Sequence, residues 1–573
     1  MFKDYNTTQT FLPLDLEIMI DPADISVVIH EFVESLPEKI FDLFEKETGR
    51  PAYHPKMMVK ITLCAYAQGI RSGRKIEDLV KDSIRMRWLA RENEPSYRTI
   101  NRFRTEEPTA KLLESCFIQF RSFLVRSGEI DEDTIFIDGT KIQANANKYS
   151  FVWKKALARN EANLDAKSKT LYRELVKNEV IPAILRESEE DPLSPEELDQ
   201  VEHSLDEVVK HYDEAIEKEN SGGKRKAIRS LRKAPKQWRK HFKEALERKR
   251  RYTAQKEILG ERNSYSKTDH DATFMRLKED PMRNGQLKAA YNLQIATNHQ
   301  YVLAYDLFPN PTDTRTLIPF LTKIQERLFK LPRYLVADAG YGSEENYHAI
   351  IEKFERIPLI TYNMYRKEQK KKYRTDPFRP ANWVYEEAAD QYLCPIGRKV
   401  VFKKDVVRKN PSGFRQNLKL YECEDCTDCP VRKCCSKAES GRPRVIRKNS
   451  NLDYFQSYAR KLLAEKTTGD LYRQRKIDVE PAFGNLKANL GFTRFLVRGK
   501  VKVKNEAGFA LLAMNLRKYT AKRAKKRKSI LPSRQKNFGR VLFLKRITRS
   551  FHFSGLFIEF CPSLVFLCPS PFL

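Results

Sequence analysis

Thr134-Ile135-Phe136-Ile137-Asp138-Gly139 and Tyr334-Leu335-Val336-Ala337-Asp338-Ala339-Gly340 share one plan: an apolar run rich in β-branched, aliphatic and aromatic residues, an aspartate, then a glycine turn. Short apolar runs bounded by glycine predict buried strands, so each aspartate is expected at a strand end. Between the two runs, Ala289 to Ala296 and Tyr301 to Phe308 predict adjacent strands joined through the polar Thr297-Asn298-His299-Gln300. Asp313 to Leu328 predicts a helix leading into the second aspartate strand. Ser343 caps a further helix expected over 344–354, and Ile357 to Thr361 predicts a last strand.

Strand, strand, strand, helix, strand, helix, strand is the element order of an α/β ribonuclease-H-like sheet. A third acid stands in Asp478-Val479-Glu480-Pro481-Ala482-Phe483-Gly484-Asn485-Leu486-Lys487. Pro481 suits an early helical position, where its missing N–H would be unpaired anyway. Phe483, Leu486 and Leu490 recur at helical spacing and are expected to face the core. Two carboxylates at strand ends plus one on a helix can hold a pair of magnesium ions. Phosphodiester chemistry needs that charge at both the attacking and the leaving oxygen. A single strand-end aspartate is more often a cap, so the constellation carries the weight.

The phrases Phe136 to Asn147, Thr268 to Arg276, Ala337 to Tyr341 and Val479 to Gly484 resemble, in this order, bacterial insertion-sequence transposases of the DDE type. The likeness spans roughly residues 10 to 520. It implies a DNA transposase that cleaves the ends of an insertion sequence and joins the 3′ ends to target DNA. Asp138, Asp338 and Glu480 would be the catalytic ligands of Mg2+ or Mn2+, and Lys487 a contact to the DNA backbone. In the related signature a tyrosine and an arginine precede the glutamate. Strict spacing lands on Arg473 and Lys476, assigned as DNA contacts, while Tyr472 and Arg475 keep the mutual spacing one residue early. The resemblance also implies a homodimer in a synaptic complex and a cytoplasmic, nucleoid-associated bacterial protein. A catalytically inactive transposase-derived DNA-binding protein is the alternative, and a nuclease that cuts without joining is a third.

Composition agrees with a nucleic-acid partner: 107 Lys and Arg oppose 76 acidic residues, leaving a net charge of +31. Such an excess favours phosphate contacts but carries no base specificity. With 573 residues several domains are expected. Residues 1–128 predict an all-α DNA-binding N-terminal domain with helices over Pro55 to Gly69, Ile76 to Ser83 and Ser96 to Phe103. Such short helices suit a helix-turn-helix-like module, with Arg98, Asn101, Arg102 and Arg104 as candidate DNA contacts. Likeness to the InsH-type transposase N-terminal domain points to terminal-repeat recognition there.

Residues 129–520 form the expected catalytic domain, interrupted twice. The 150–264 segment is a charged helical insertion. Its acid-rich part over 187–219 and basic part from Lys224 to Arg251 flank Ser221-Gly222-Gly223, which predicts an antiparallel helix pair, either a solvated spacer or a DNA-clamping arm. The 385–445 segment is cysteine-rich. Cys394, Cys423 and Cys426 with Cys429 or Cys434 fit a structural zinc site better than free thiols. Met1 to Phe11 has neither the basic nor the apolar region of a secretory signal, so a reducing compartment is expected and disulfides are not. Residues 521–573 are expected as a disordered tail, basic and then apolar. Glu559, Pro562, Pro569 and Pro571 make its end a poor membrane span. Truncation at Ser550 is therefore expected to leave activity intact, which an assay of the shortened protein would read.

Overall fold

The computed structural model describes residues 20–45, 52–186, 188, 190–278, 285–438 and 442–530. Most of the expected tail, from residue 531 on, lies outside them. The first helices are α1 (Ile25–Glu34), α2 (Pro55–Ala67), α3 (Gly73–Asp82), α4 (Ile84–Ala90), α5 (Tyr97–Thr105) and α6 (Glu107–Arg126). Asp24 caps α1 by accepting the Ser26 N–H at 2.9 Å. Helix α2 is buried nearly all round, with Lys60 and Thr62 enclosed among its apolar residues.

Strand β1 (Thr134–Gln143) runs through Asp138 and Gly139 and does not stop there. Asp138 is thus mid-strand, a correction to the strand-end expectation. The reason is close packing: a Cβ at Gly139 would collide with the Gln294 side chain and come within 2.7 Å of Asp313 Oδ1, so glycine here admits neighbours and does not end the strand. The chain then enters the charged insertion through β2 (Phe151–Trp153), builds α7 (Lys154–Lys177), α8 (Pro195–Lys218) and α9 (Gly222–Leu259), and leaves through β3 (Ser264–Ser266), which pairs antiparallel with β2. Ser194 and Glu197 form a capping box on α8. Arg239 bonds Glu202 at 2.8 Å and Asp206 at 2.6 Å, and Arg232 pairs with Asp213, so α8 and α9 lie antiparallel. Leu198, Val201, Leu205, Phe242 and Leu246 share an apolar core with Leu164, Tyr172 and Leu175 of α7. The insertion is therefore a three-helix bundle.

The central sheet adds β4 (Thr273–Arg276), β5 (Leu287–Asn298), β6 (Tyr301–Phe308), β7 (Tyr334–Ala337) and β8 (Ile357–Ile360), with α10 (Leu317–Lys323) before β7 and α11 (Glu344–His348) after it. Strand β5 lies antiparallel between β1 and β6, while β7 pairs parallel with β1 and β8 parallel with β7. The resulting order, β5-β1-β7-β8 with both β4 and β6 paired to β5, makes a mixed α/β domain consistent with a ribonuclease-H-like core. The β5–β6 turn is tighter than expected: Thr297 and Asn298 stay in the strand, and only His299 and Gln300, with φ of 48° and 63°, make the turn. The helices expected over 313–328 and 344–354 are each broken, the first opening with a 3-10 turn at Asp313–Arg315 and both ending in a π turn.

Two short helices, α12 (Tyr365–Glu368) and α13 (Lys371–Arg374), precede a five-stranded antiparallel sheet flanked by helices. Its strands are β9 (Val384–Glu386), β10 (Gln391–Leu393), β11 (Lys399–Lys409), β12 (Arg415–Cys423) and, after α14 (Arg432–Cys435), β13 (Val445–Lys448). Glu344 of α11 accepts from Gln416 at 2.8 Å and from Asn449 at 2.6 Å, which ties this sheet to the chain just beyond Asp338.

The last helices are α15 (Ser450–Ala464), α16 (Lys466–Gly484) and α17 (Lys500–Ile530), so residues 521–530 are helical where a disordered tail is expected. Asn515 of α17 exchanges two hydrogen bonds with the Val302 backbone at 2.9 and 2.7 Å and so covers the β6 edge. Phe242→Ala is expected to destabilise the helical bundle by about 3–5 kcal/mol through lost burial and the cavity left behind. Denaturant unfolding followed by Trp238 fluorescence would measure it.

Candidate active site

Parallel pairing brings the first two acids together. Ile137 registers with Ala337, and the next residues along the chain are Asp138, still in β1, and Asp338, just past the end of β7. Asp138 is 20% exposed, takes the Gly139 N–H at 2.7 Å on Oδ1, and meets Arg475 Nη1 at 3.1 Å on Oδ2. Burial first, and then the neighbouring Asp338 charge, push its carboxyl up to about 6, although Arg475 pulls the other way. Asp338 accepts the Gly340 N–H at 2.8 Å and so caps the tight turn that follows β7.

A third carboxylate, absent from the expected set, completes this face. Asp313 Oδ1 accepts from Asn292 Nδ2 at 2.8 Å and from Gln294 Nε2 at 2.9 Å, and its charge adds to the rise at Asp138. Both amides are buried, and Tyr341, fully enclosed, donates its hydroxyl to Gln294. Asn292 and Gln294 alternate along β5, so their side chains share one face of the strand. Those two buried amides were the signal in the sequence. Thr314 fastens the Asp313 turn to the Gly340 carbonyl at 2.8 Å.

Glu480 lies on α16, which packs across β1, β5, β7 and β8. Its side chain is exposed, and no hydrogen bond or ion pair among the described residues engages it. Among the described residues no group of three or more acidic, histidine or cysteine side chains is placed to hold a metal ion. Pro481 is not early in its helix: α16 begins at Lys466, so the proline is interior, a correction. An interior proline leaves the carbonyl four residues back without its helical donor. Here that carbonyl, Ile477, accepts from Gln300 Nε2 at 3.1 Å, and Asp478 takes the Gln300 N–H at 3.0 Å. The β5–β6 turn thus supplies what the proline removes. Leu486 and Leu490 are buried as expected, and Phe483 is half-buried.

Of the basic residues, Arg475 reaches Asp138 and Tyr472 shares a hydrogen bond with Thr361 Oγ1 at 2.8 Å. The pair shifted by one residue therefore sits at the sheet. Arg473 is exposed and paired with Asp470, and Lys476 is exposed. Lys487 is half-buried beside the Lys141 carbonyl of β1 at 3.4 Å. In α5, Arg98 and Arg102 are exposed one helical turn apart. Arg104 is 7% exposed and donates to Tyr66 Oη at 3.0 Å and to Asn101, so these two serve the interior. The acids of Thr268 to Arg276 are also structural: Asp269 accepts the Gly499 N–H at 3.2 Å and Asp271 the Lys500 N–H at 2.7 Å, anchoring the start of α17.

The thiols of Cys394, Cys423, Cys426, Cys429 and Cys435 line one small cavity beside Trp383, whereas Cys434 is exposed and does not. All cysteines among the described residues are free.

A family model described as a transposase DDE domain matches residues 393–520, and one described as a transposase domain, DUF772, matches residues 14–106. Asp138 and Asp338 fall outside both segments, and Glu480 and Lys487 inside the first. No curated protein and no solved structure matches the chain. No helix among the described residues is long and apolar enough to cross a membrane.

Because the Asp138 pKa is raised by folding, the folded chain binds more protons than the unfolded one between about pH 4 and pH 6, and stability falls as pH rises through that window. Each tenfold change in a carboxyl's acidity on folding corresponds to roughly 1.4 kcal/mol. Without divalent ions, Asp138→Asn is therefore expected to be more stable than the parent at neutral pH by about 1–3 kcal/mol. The gain should vanish by about pH 4. Denaturant melts in a chelating buffer at both pH values would check this.

Proposed function

We propose that this transposase-family protein is a DNA transposase, with Asp138, Asp338 and Glu480 as its catalytic acids. The observation that carries the reading is the register of β1 against β7, which sets Asp138 beside Asp338 in a sheet of ribonuclease-H-like order. Asp138 and Asp338, side by side at the sheet with Asp313 near them, would supply carboxylate oxygens to divalent cations. Bound there, Mg2+ or Mn2+ would neutralise charge at the attacking and leaving oxygens and lower the pKa of a water. Glu480 belongs to the set because it lies between Arg475 and Lys487, both of which reach β1.

The chain's own residues then have these roles. Arg475 holds the Asp138 carboxylate in place. Lys487, with Arg473 and Lys476, meets the DNA backbone, and the exposed Arg98 and Arg102 meet the element's end. Residues 1–128 serve as the end-binding domain and 129–520 as the catalytic domain, with two copies joining two ends in a bacterial cytoplasm. Cys394, Cys423, Cys426 and either Cys429 or Cys435, which line the cavity beside Trp383, would supply thiolates to a structural zinc, and such an ion would fasten the five-stranded sheet. The second reading, a DNA-binding protein without catalysis, draws on the exposed Glu480, which no hydrogen bond or ion pair among the described residues engages.

Purified protein with Mg2+ and a labelled duplex carrying the element's end should yield nicked and joined products, and Glu480→Gln should yield neither. Binding without cleavage by the parent protein would favour the second reading. Metal analysis should find about one zinc per chain, kept by Cys434→Ser and lost in Cys426→Ser.

A further inference from the structure

Helix α9 carries two sets of basic side chains that the fold treats differently. Arg232, Arg239, Lys249 and Lys256 turn toward α7 and α8: Lys249 meets Asp165 at 2.8 Å, Lys256 meets Glu161 at 2.6 Å, and the arginines pair with α8 as described above. Lys226, Arg229, Lys233, Lys236, Lys240 and Lys243 are exposed and follow one another at alternating spacings of three and four residues. That spacing keeps them on one stripe, opposite the face that buries Pro235, Phe242 and Leu246. No ion pair within 4 Å engages any of the six among the described residues.

Like charges three or four residues apart destabilise a helix. The stripe nevertheless stacks such neighbours from 226 to 243, while Glu202 and Asp206 of α8 are engaged by Arg239 on the inner face. Its cations span about 26 Å at 1.5 Å per residue. A DNA duplex offers one negative charge about every 1.7 Å of axis. Neither matched family segment covers these residues.

We propose that the outer stripe of α9 binds the phosphate backbone of duplex DNA without reading its bases. The choice of DNA rests on the transposase reading above; the surface itself rests on charge and geometry. Lysine and arginine rows of this kind neutralise phosphates and release counterions, so the binding is steeply salt-dependent.

The test compares the full chain with a Lys233→Gln/Lys236→Gln/Lys240→Gln/Lys243→Gln variant, measuring affinity for a labelled random-sequence duplex across a KCl series. The four lysines are exposed, and an unchanged melting temperature shows that the variant is folded. Loss of four phosphate contacts should make the slope of log affinity against log salt shallower by about 3.6, at 0.9 per contact. The weakening should be equal on random and element-end duplexes. An unchanged slope overturns the proposal, and so does an RNA or an acidic peptide that binds more tightly than the duplex and loses its binding in the variant. Asp338→Asn protein should keep the parent's slope. A failure of the transposase reading would therefore appear as absent cleavage with the slope difference intact, and a failure of the stripe as intact cleavage with no slope difference.

Discussion

The parallel pairing of β1 with β7 is the constraint on which the rest of the site depends. Almost two hundred residues of chain separate Asp138 from Asp338, and a single register, Ile137 against Ala337, makes them neighbours. Slipping a strand by one residue would turn its side chains to the other face. That slip is opposed because it would carry the Asp138 charge to the face where Ile135 and Ile137 are fully enclosed. The apolar residues before each aspartate therefore determine where its charge goes.

Holding those charges together has a cost, and the surroundings are organised around it. Asp313 is fixed by the amides of Asn292 and Gln294, Asp338 by its own turn, and Asp138 by Gly139 and Arg475. At Asp138 the contacts with Gly139 and Arg475 favour the ionised carboxylate. Burial and mutual repulsion oppose them, and at Asp138 the opposition wins. A fold that keeps such a cluster gives up stability for preorganisation, the usual trade at functional sites.

Much of this was legible in the sequence because strands announce themselves by apolar runs. The five strands β1, β5, β6, β7 and β8 and the tip of the β5–β6 hairpin follow from Val, Ile, Tyr and Phe content and turn residues. What was not legible came from partners distant in sequence. Gly139 looks like a terminator until Gln294 is seen packed against it. Pro481 looks like a helix start until Gln300 is found on the carbonyl it frees. Arg104, in a row of basic residues, looks available to DNA, yet Tyr66 and Asn101 hold it inside. Asp313 opens a helix-like stretch and gives no local sign of facing two other aspartates. In each case local propensity was overridden by a tertiary contact.

The short ladder between β2 and β3 has a consequence for how this chain can vary. Everything in the bundle of α7, α8 and α9 enters and leaves through Phe151–Trp153 paired with Ser264–Ser266. The two ends of the bundle therefore meet, as the ends of an inserted domain must if its host is to stay undisturbed. Lengthening, shortening or replacing the bundle beyond that gate leaves the strand register, and with it the spacing of the aspartates, untouched. The central sheet and its appendage are free to diverge at different rates within one polypeptide.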